Sequence, residues 1–328
     1  MLYISACSDG SDPGSSEEST APRPGDPVRQ ITEEIRGDSA NAALYNERAG
    51  IYIREGKLNS ALNDLNRAIK LSPGDPELYM TLSDVYIARG DVRRCREALK
   101  KAISLDPGNQ SAYLKMAELN LLLREYNNTF KYVGEALDLE AYNPVAYYIK
   151  GFAYMETGDT NRAVENFMIA ADQDQEYYDA FMQLGTLFSL KKDPKAIDYY
   201  KNAIEAAPDN TEAHYALAMF YQETGALEPA TRAYERLLDI DPRNKYALYN
   251  LGFINLVYFD DFESAAAYFS QALEIDPEYA DAYYNRGYSY ELRGLVNEAR
   301  RDYQKALEVN PNHELSVRGL NRLDLMAK

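Results

Sequence analysis

Cysteine and histidine are few in this chain, two of each, Cys7 and Cys95, His214 and His313, while the 52 Asp and Glu follow helix-surface spacing and read as solvated faces. Two Cys and two His, so widely spaced, do not predict a metal site. No Gly-rich phosphate loop, CxxC pair, HExxH run or GxSxG run occurs. Tyrosine is abundant instead, at 29 residues against 10 Phe and no Trp. A tyrosine ring packs like a hydrophobe while its hydroxyl stays polar, so Tyr suits half-buried packing and ligand contact alike. Part of this tyrosine falls in a series with Phe and Met. Tyr148, Met182, Tyr215, Tyr249 and Tyr284 recur at intervals of 33 to 35 residues, and Phe152, Met219, Phe253 and Tyr288 each follow one of them by four. Met155 and Tyr246 add to the same face, and Glu156, Asp179, Glu212, Glu223, Asp281 and Glu291 flank it. The chemistry on offer is non-covalent. Rings give large contact area at low entropy cost, Met adapts to varied shapes, and the acids favour a protein or peptide partner carrying Lys or Arg. No cofactor and no catalytic residue is predicted.

A series with that interval needs a repeated scaffold. Five stretches are plainly alike: LNRAIKLSPGD at 65–75, LKKAISLDPGN at 99–109, YKNAIEAAPDN at 200–210, FSQALEIDPEY at 269–279 and YQKALEVNPNH at 303–313. Extension from them gives eight repeats, at 42–75, 76–109, 110–143, 144–177, 178–210, 211–244, 245–279 and 280–313. Position 8 is always small: Ala49, Ser83, Ala117, Gly151, Gly185, Ala218, Gly252 and Gly287. Positions 4 and 11 are mostly Tyr or Phe, position 20 is mostly Ala, and position 27 is Ala except at Leu237. Large residues at 4, 7 and 11 share one helical face, and small ones at 8 and 20 let a second helix approach closely. Gly56, Gly90, Gly158, Gly225 and Gly294 fall where a first helix would end. Asn41, Asp75, Asn109, Asn143, Asn210 and Asn244 stand where they can cap the next one. Each repeat therefore reads as a helical hairpin.

These columns resemble the tetratricopeptide repeat family over residues 42–313. Departures are local: repeat 3 has Asn120, Thr129 and Ala141 at three signature positions, Pro144 is displaced, and repeat 4 has Gln175 where Pro is usual. The resemblance implies an all-α, right-handed solenoid, with first helices lining a concave face and second helices the convex one. It also implies a protein-binding scaffold, not an enzyme. Family members that clamp a C-terminal carboxylate carry Lys at position 5 with Asn at 9; no repeat here has that pair, so such a clamp is not expected. By column, His214 reads as a core residue and Cys95 as a packing thiol, while His313 in the last turn reads as exposed. A capping helix is expected over 314–328, packing Leu315, Val317, Leu320 and Leu323 on repeat 8.

The formal net charge of −17 disfavours nucleic acid and anionic membrane as partners. Ahead of the repeats, residues 26–41 read as a short helix and turn, with Asp26 as cap and Val28, Ile31 and Ile35 as its apolar stripe. Residues 8–25 are Ser, Gly, Pro and acid, a flexible tether. Residues 1–7, MLYISAC, resemble the end of a bacterial lipoprotein signal, with Cys7 as the lipidated residue. Only six residues precede Cys7, so this reading expects the true start to lie upstream of Met1. No stretch is apolar and long enough to span a bilayer. The expectation is a scaffold anchored at a bacterial envelope; the alternatives are a soluble cytosolic adaptor and a structural subunit of a larger envelope complex.

Overall fold

The computed structural model describes residues 27–326, so Cys7, the tether at 8–25 and Asp26 lie outside the described residues. These residues form eighteen helices and no strand. The described residues divide into two compact bodies, 27–173 and 174–326.

The N-terminal body holds α1 (Pro27–Gly37), α2 (Ala42–Arg54), α3 (Leu58–Leu71), α4 (Pro76–Ala88), α5 (Val92–Leu105), α6 (Gln110–Leu122), α7 (Tyr126–Leu139), α8 (Pro144–Glu156) and α9 (Thr160–Gln173). The C-terminal body holds α10 (Tyr178–Ser189), α11 (Lys195–Ala206), α12 (Thr211–Glu223), α13 (Leu227–Ile240), α14 (Lys245–Val257), α15 (Phe262–Ile275), α16 (Ala280–Leu292), α17 (Val296–Val309) and α18 (Glu314–Met326). In both bodies each first helix packs on its own second helix, which packs on the next first helix. The result is an all-α solenoid.

The hairpins close because small faces large. Every residue at position 20, from Ala61 to Ala299, is at most 2% exposed, and every residue at position 27, from Ala68 to Ala306, is fully buried. The residue opposite position 8 is at position 24, a pairing the column analysis missed. A Cβ on Gly151 would lie 2.7 Å from the Phe167 ring, one on Gly185 2.5 Å from Tyr200, one on Gly252 2.8 Å from Phe269, and one on Gly287 3.0 Å from Tyr303. Repeats 1 to 3 reverse the trade: Ala49, Ser83 and Ala117 stand at position 8 where Leu65, Leu99 and Val133 hold position 24. In these seven repeats volume is traded across the contact, as close packing requires; repeat 6 pairs Ala218 with Tyr234.

The first helices end as expected. The five cap glycines adopt φ of +70° to +85°. In the other three repeats Arg124, Lys192 and Asp260 take the same left-handed position at +53° to +58°, with a steric cost glycine avoids. All six Asn and Asp caps accept a hydrogen bond from a first-turn amide, as Asn41 does from Ala43 N. Despite its departures, repeat 3 forms both helices. Its Thr129 is fully buried, and the buried Asn120 amide donates to Met116 O at 2.6 Å, so neither polar group is left unpaired.

At the C-terminal end the expected packing is corrected. Leu315 and Val317 are exposed, at 46% and 43%. Buried instead are His313, Ser316, Gly319 and Leu323, with Leu320 half-buried. Two features set this rotation. Gly319 sits over Tyr303, where a Cβ would come within 2.6 Å of the ring. His313, expected to be exposed, is buried, with Ser316 Oγ 2.8 Å from Nδ1 and Asp281 Oδ1 3.0 Å from Nε2. Turning α18 to bury Leu315 and Val317 would break both.

Candidate functional site

The side chains of interest lie on the first helices, whose neighbours touch directly at α2–α4, α6–α8, α10–α12 and α14–α16. In the C-terminal body the aromatic series divides into struts and accessible residues. Tyr215, on α12, sets its ring edge-to-face with Tyr234 at 6.0 Å and Tyr246 at 6.5 Å. Its hydroxyl accepts from Asn250 Nδ2 of α14 at 3.2 Å, and the same amide lies 3.6 Å from Met219 Sδ. Tyr249 repeats the arrangement one hairpin later. Its hydroxyl accepts from Asn285 Nδ2 of α16 at 2.8 Å, and its ring stacks on Tyr279 at 4.9 Å and meets Phe269 at 5.5 Å. Burial, reinforced by the Asp281 carboxylate and opposed by Asn285, pushes the Tyr249 phenol up to about 12. Position 5 of one repeat is thus tied to position 6 of the next, Tyr to Asn in both cases. The signal was in the sequence: Asn250 and Asn285 follow repeats with Tyr at position 5, whereas Ala216 follows Met182.

Met182 is buried, at 8% exposure, and does not line an open face. This corrects the expectation for that residue. Tyr284 packs on Tyr303 at 5.7 Å and beside the His313 ring at 5.5 Å, which also makes it a strut, under the end cap. Most open is Tyr246, 52% exposed at position 2 of repeat 7, with the Lys245 ammonium 5.0 Å from its ring centroid. Met219, Phe253 and Tyr288 at position 9 are half-buried; Phe253 meets the exposed Tyr258 edge-on at 6.3 Å, and the Arg322 guanidinium lies 5.3 Å over Tyr288.

In the N-terminal body Tyr148 and Phe152 form a T-shaped pair at 4.9 Å, and both rest on the fully buried Phe167, at 5.6 and 5.3 Å. Met155 is half-buried on the same helix. The same body also holds a recess of about 630 Å³ lined by Glu34, Glu47, Arg54 and Asp84 together with Ile31 and Ile51, with no aromatic ring in it.

The acids do not act alike. Glu291 is no rim residue: its side chain is 6% exposed, held by Arg322 through two 2.9 Å bonds and by the Tyr303 hydroxyl. Burial works against its charge, but these hydrogen bonds outweigh it and keep the carboxyl below its ordinary range. Asp281 is engaged by His313. Glu156, Glu212 and Glu223 remain exposed. Glu212 accepts a long hydrogen bond from Tyr178 Oη at 3.4 Å. Burial, together with this carboxylate, pushes the Tyr178 phenol well above its usual range.

The two remaining chemical candidates are structural. Cys95 is 2% exposed, and burial with the nearby Asp84 raises its thiol to about 11, so it is protonated near neutral pH and a poor nucleophile. His214 is buried, with Nε2 2.9 Å from Pro208 O. Among the described residues no cluster of His, Cys, Asp and Glu is placed to hold a metal, and no helix is long and apolar enough to cross a membrane.

A solenoid of 34-residue helical hairpins presenting side chains on its first helices is the architecture of a protein-interaction scaffold. The chain belongs to the tetratricopeptide repeat family: models described as tetratricopeptide repeat match residues 52–119, 150–211, 194–252 and 280–313, and one described as TPR repeat matches 260–294. Among curated proteins it is similar to the BBSome complex member BBS4 of Bos taurus, 37% identical over 73 residues, 22% of this chain and 14% of that protein. It is also similar to the UDP-N-acetylglucosamine–peptide N-acetylglucosaminyltransferase of Giardia intestinalis, 29% identical over 89 residues, 27% of this chain and 6% of the enzyme. The chain therefore spans only a small part of these relatives. Among solved structures, the C-terminal part of a TPR repeat-containing protein from Cytophaga hutchinsonii superposes with a TM-score of 0.64 at 18% identity, covering 73% of this chain and 98% of that one. PilF of Pseudomonas aeruginosa superposes at 0.50 with 21% identity, covering 62% and 92%. Both likenesses concern the fold alone.

Proposed function

We propose that this protein is a non-enzymatic scaffold that holds a peptide or a segment of a partner protein along the first helices of repeats 6 to 8. One observation carries the reading: Tyr246, Met219, Phe253 and Tyr288 present accessible apolar surface, while Tyr215 and Tyr249 beside them are tied to the next repeat by Asn250 and Asn285, and Tyr284 packs on Tyr303 within its own repeat. Pre-fixed rings lose little entropy when a partner docks, so more of each contact reaches the binding free energy. Three such contacts at about 1–2 kcal/mol each, with backbone contacts added, support binding near the micromolar range. The Tyr148–Phe152 pair gives the N-terminal body an aromatic surface of its own.

Selection from a random library of twelve-residue peptides on the full chain tests this. Enriched peptides that lose about fivefold or more in affinity on Tyr246→Ala, at an unchanged melt, support the groove; peptides indifferent to it place binding elsewhere.

We further propose that Cys7 carries a lipid that attaches the scaffold to a bacterial envelope. The support is the Ile-Ser-Ala-Cys run followed by a Ser- and Asp-rich tether. Metabolic labelling with a tritiated fatty acid in the native host should mark the wild-type protein and not Cys7→Ser; equal labelling of both rejects the anchor.

A further inference from the structure

The accessible face contains a recess of about 370 Å³, lined by Thr211, Glu212, Tyr215, Asn244 and Tyr246. Three features of its walls point to the same ligand chemistry. First, the rings of Tyr215 and Tyr246 both line it and meet edge-to-face at 6.5 Å. Aromatic faces carry negative potential and attract ammonium and guanidinium groups. The Tyr246 ring already shows this, with Lys245 Nζ 5.0 Å from its centroid. Second, the Lys245 charge is spent on Asp276, its ion-pair partner at 2.6 Å, so it does not neutralise the recess. Third, Glu212 contributes an exposed carboxylate whose hydrogen-bond donor is the uncharged Tyr178 hydroxyl, and among the described residues no lysine or arginine is paired with it. Of the other acids of the same series, Asp281 is already engaged by His313.

Resting on the groove reading above, we propose that the Tyr215–Tyr246–Glu212 recess is the specificity pocket of the groove and takes one lysine or arginine side chain of the bound peptide. The cation sits against the two rings and pairs with the Glu212 carboxylate, while the peptide's apolar residues lie on Met219, Phe253 and Tyr288. The negative charge of the whole chain, −17, adds long-range attraction for such a peptide.

The test uses the peptides enriched on the full chain. In the tightest one, its recurrent basic residue is replaced by a neutral isostere, citrulline for arginine or acetyl-lysine for lysine, and each form is titrated against wild type and Glu212→Gln. Tyr246→Ala serves as a second variant; both side chains are exposed, and thermal melts verify folding. The expected result is a loss of about five- to tenfold on neutralisation against wild type, shrinking to less than about twofold in Glu212→Gln. Enriched peptides without a recurrent basic residue, or an equal loss in both proteins, overturn the pocket and leave the groove standing. Failure to enrich any peptide above bare support removes the groove and the pocket together.

Discussion

A Cβ added to Gly151 meets Phe167 at 2.7, 2.7 and 3.1 Å, closer than van der Waals contact allows, and Phe167 is fully buried beneath Tyr148 and Phe152. Two terms then oppose each other in Gly151→Ala. Removing a helix-interior glycine gains about 1 kcal/mol of propensity. Overpacking a closed core costs about 1–3 kcal/mol. The sum is a net loss of about 0–2 kcal/mol for Ala, and a larger loss for Gly151→Leu, whose branches have nowhere to go. Repeat 6 sets the lower end, because it holds Ala218 at position 8 with Tyr234 at position 24. Gly134, inside α7, is the control: a Cβ there meets nothing within 4 Å, so Gly134→Ala should gain the full propensity term of about 0.5–1 kcal/mol. Urea titrations followed by circular dichroism, compared at constant slope, read the difference. Phe167→Leu should be less harmful in the Gly151→Ala background than alone, since Ala49 with Leu65 is the natural pairing of repeat 1. Equal stabilisation by Gly151→Ala and Gly134→Ala would refute the position 8 to position 24 contact and the register built on it.

Other consequences are equally open to measurement. Arg124 holds φ +58° where five other repeats place glycine, so Arg124→Gly should raise stability by about 0.5–1 kcal/mol, seen as a higher melting temperature, and a lower one contradicts this. Asp302 receives Arg286 in two bonds of 2.7 and 2.8 Å, and Asp302→Ala should cost about 3 kcal/mol in urea titration because it strands a largely buried guanidinium; a loss under about 1 kcal/mol argues against the pair's burial. Cys95, in a Cys7→Ser chain, should react with iodoacetamide at pH 8 at least about a hundredfold more slowly folded than in urea. Its proton stays on until about pH 11 in the folded chain but leaves near 9 in the unfolded one, so its contribution is intact below pH 9 and is lost as pH rises from 9 to 11; a flat profile there denies the burial.

The solenoid was legible because eight copies of one column pattern reinforce each other, and a small residue recurring at positions 8 and 20 has few explanations besides close helix packing. Departures such as Asn120 and Thr129 were absorbed by local hydrogen bonds that a column comparison cannot see. Legibility failed where no further copy exists. At the cap, helical periodicity allowed more than one rotation of α18; Tyr303 and His313 chose the one that exposes Leu315 and Val317. The aromatic stripe was visible as a series, but spacing alone does not separate strut from contact. Tyr249 and Tyr246 differ because one hydroxyl is held by Asn285 and the other ring projects from a helix start. Glu291 looked like its acidic neighbours until Arg322, 31 residues away, was brought onto it.

Site-specific photocrosslinking shows whether a partner lies on the first-helix face of repeats 6 to 8. A benzoylphenylalanine at position 246 should crosslink a library-selected peptide efficiently, and one at the exposed Glu235 of second helix α13 should not. Comparable crosslinking at 235, or none at 246, would place the partner off this face.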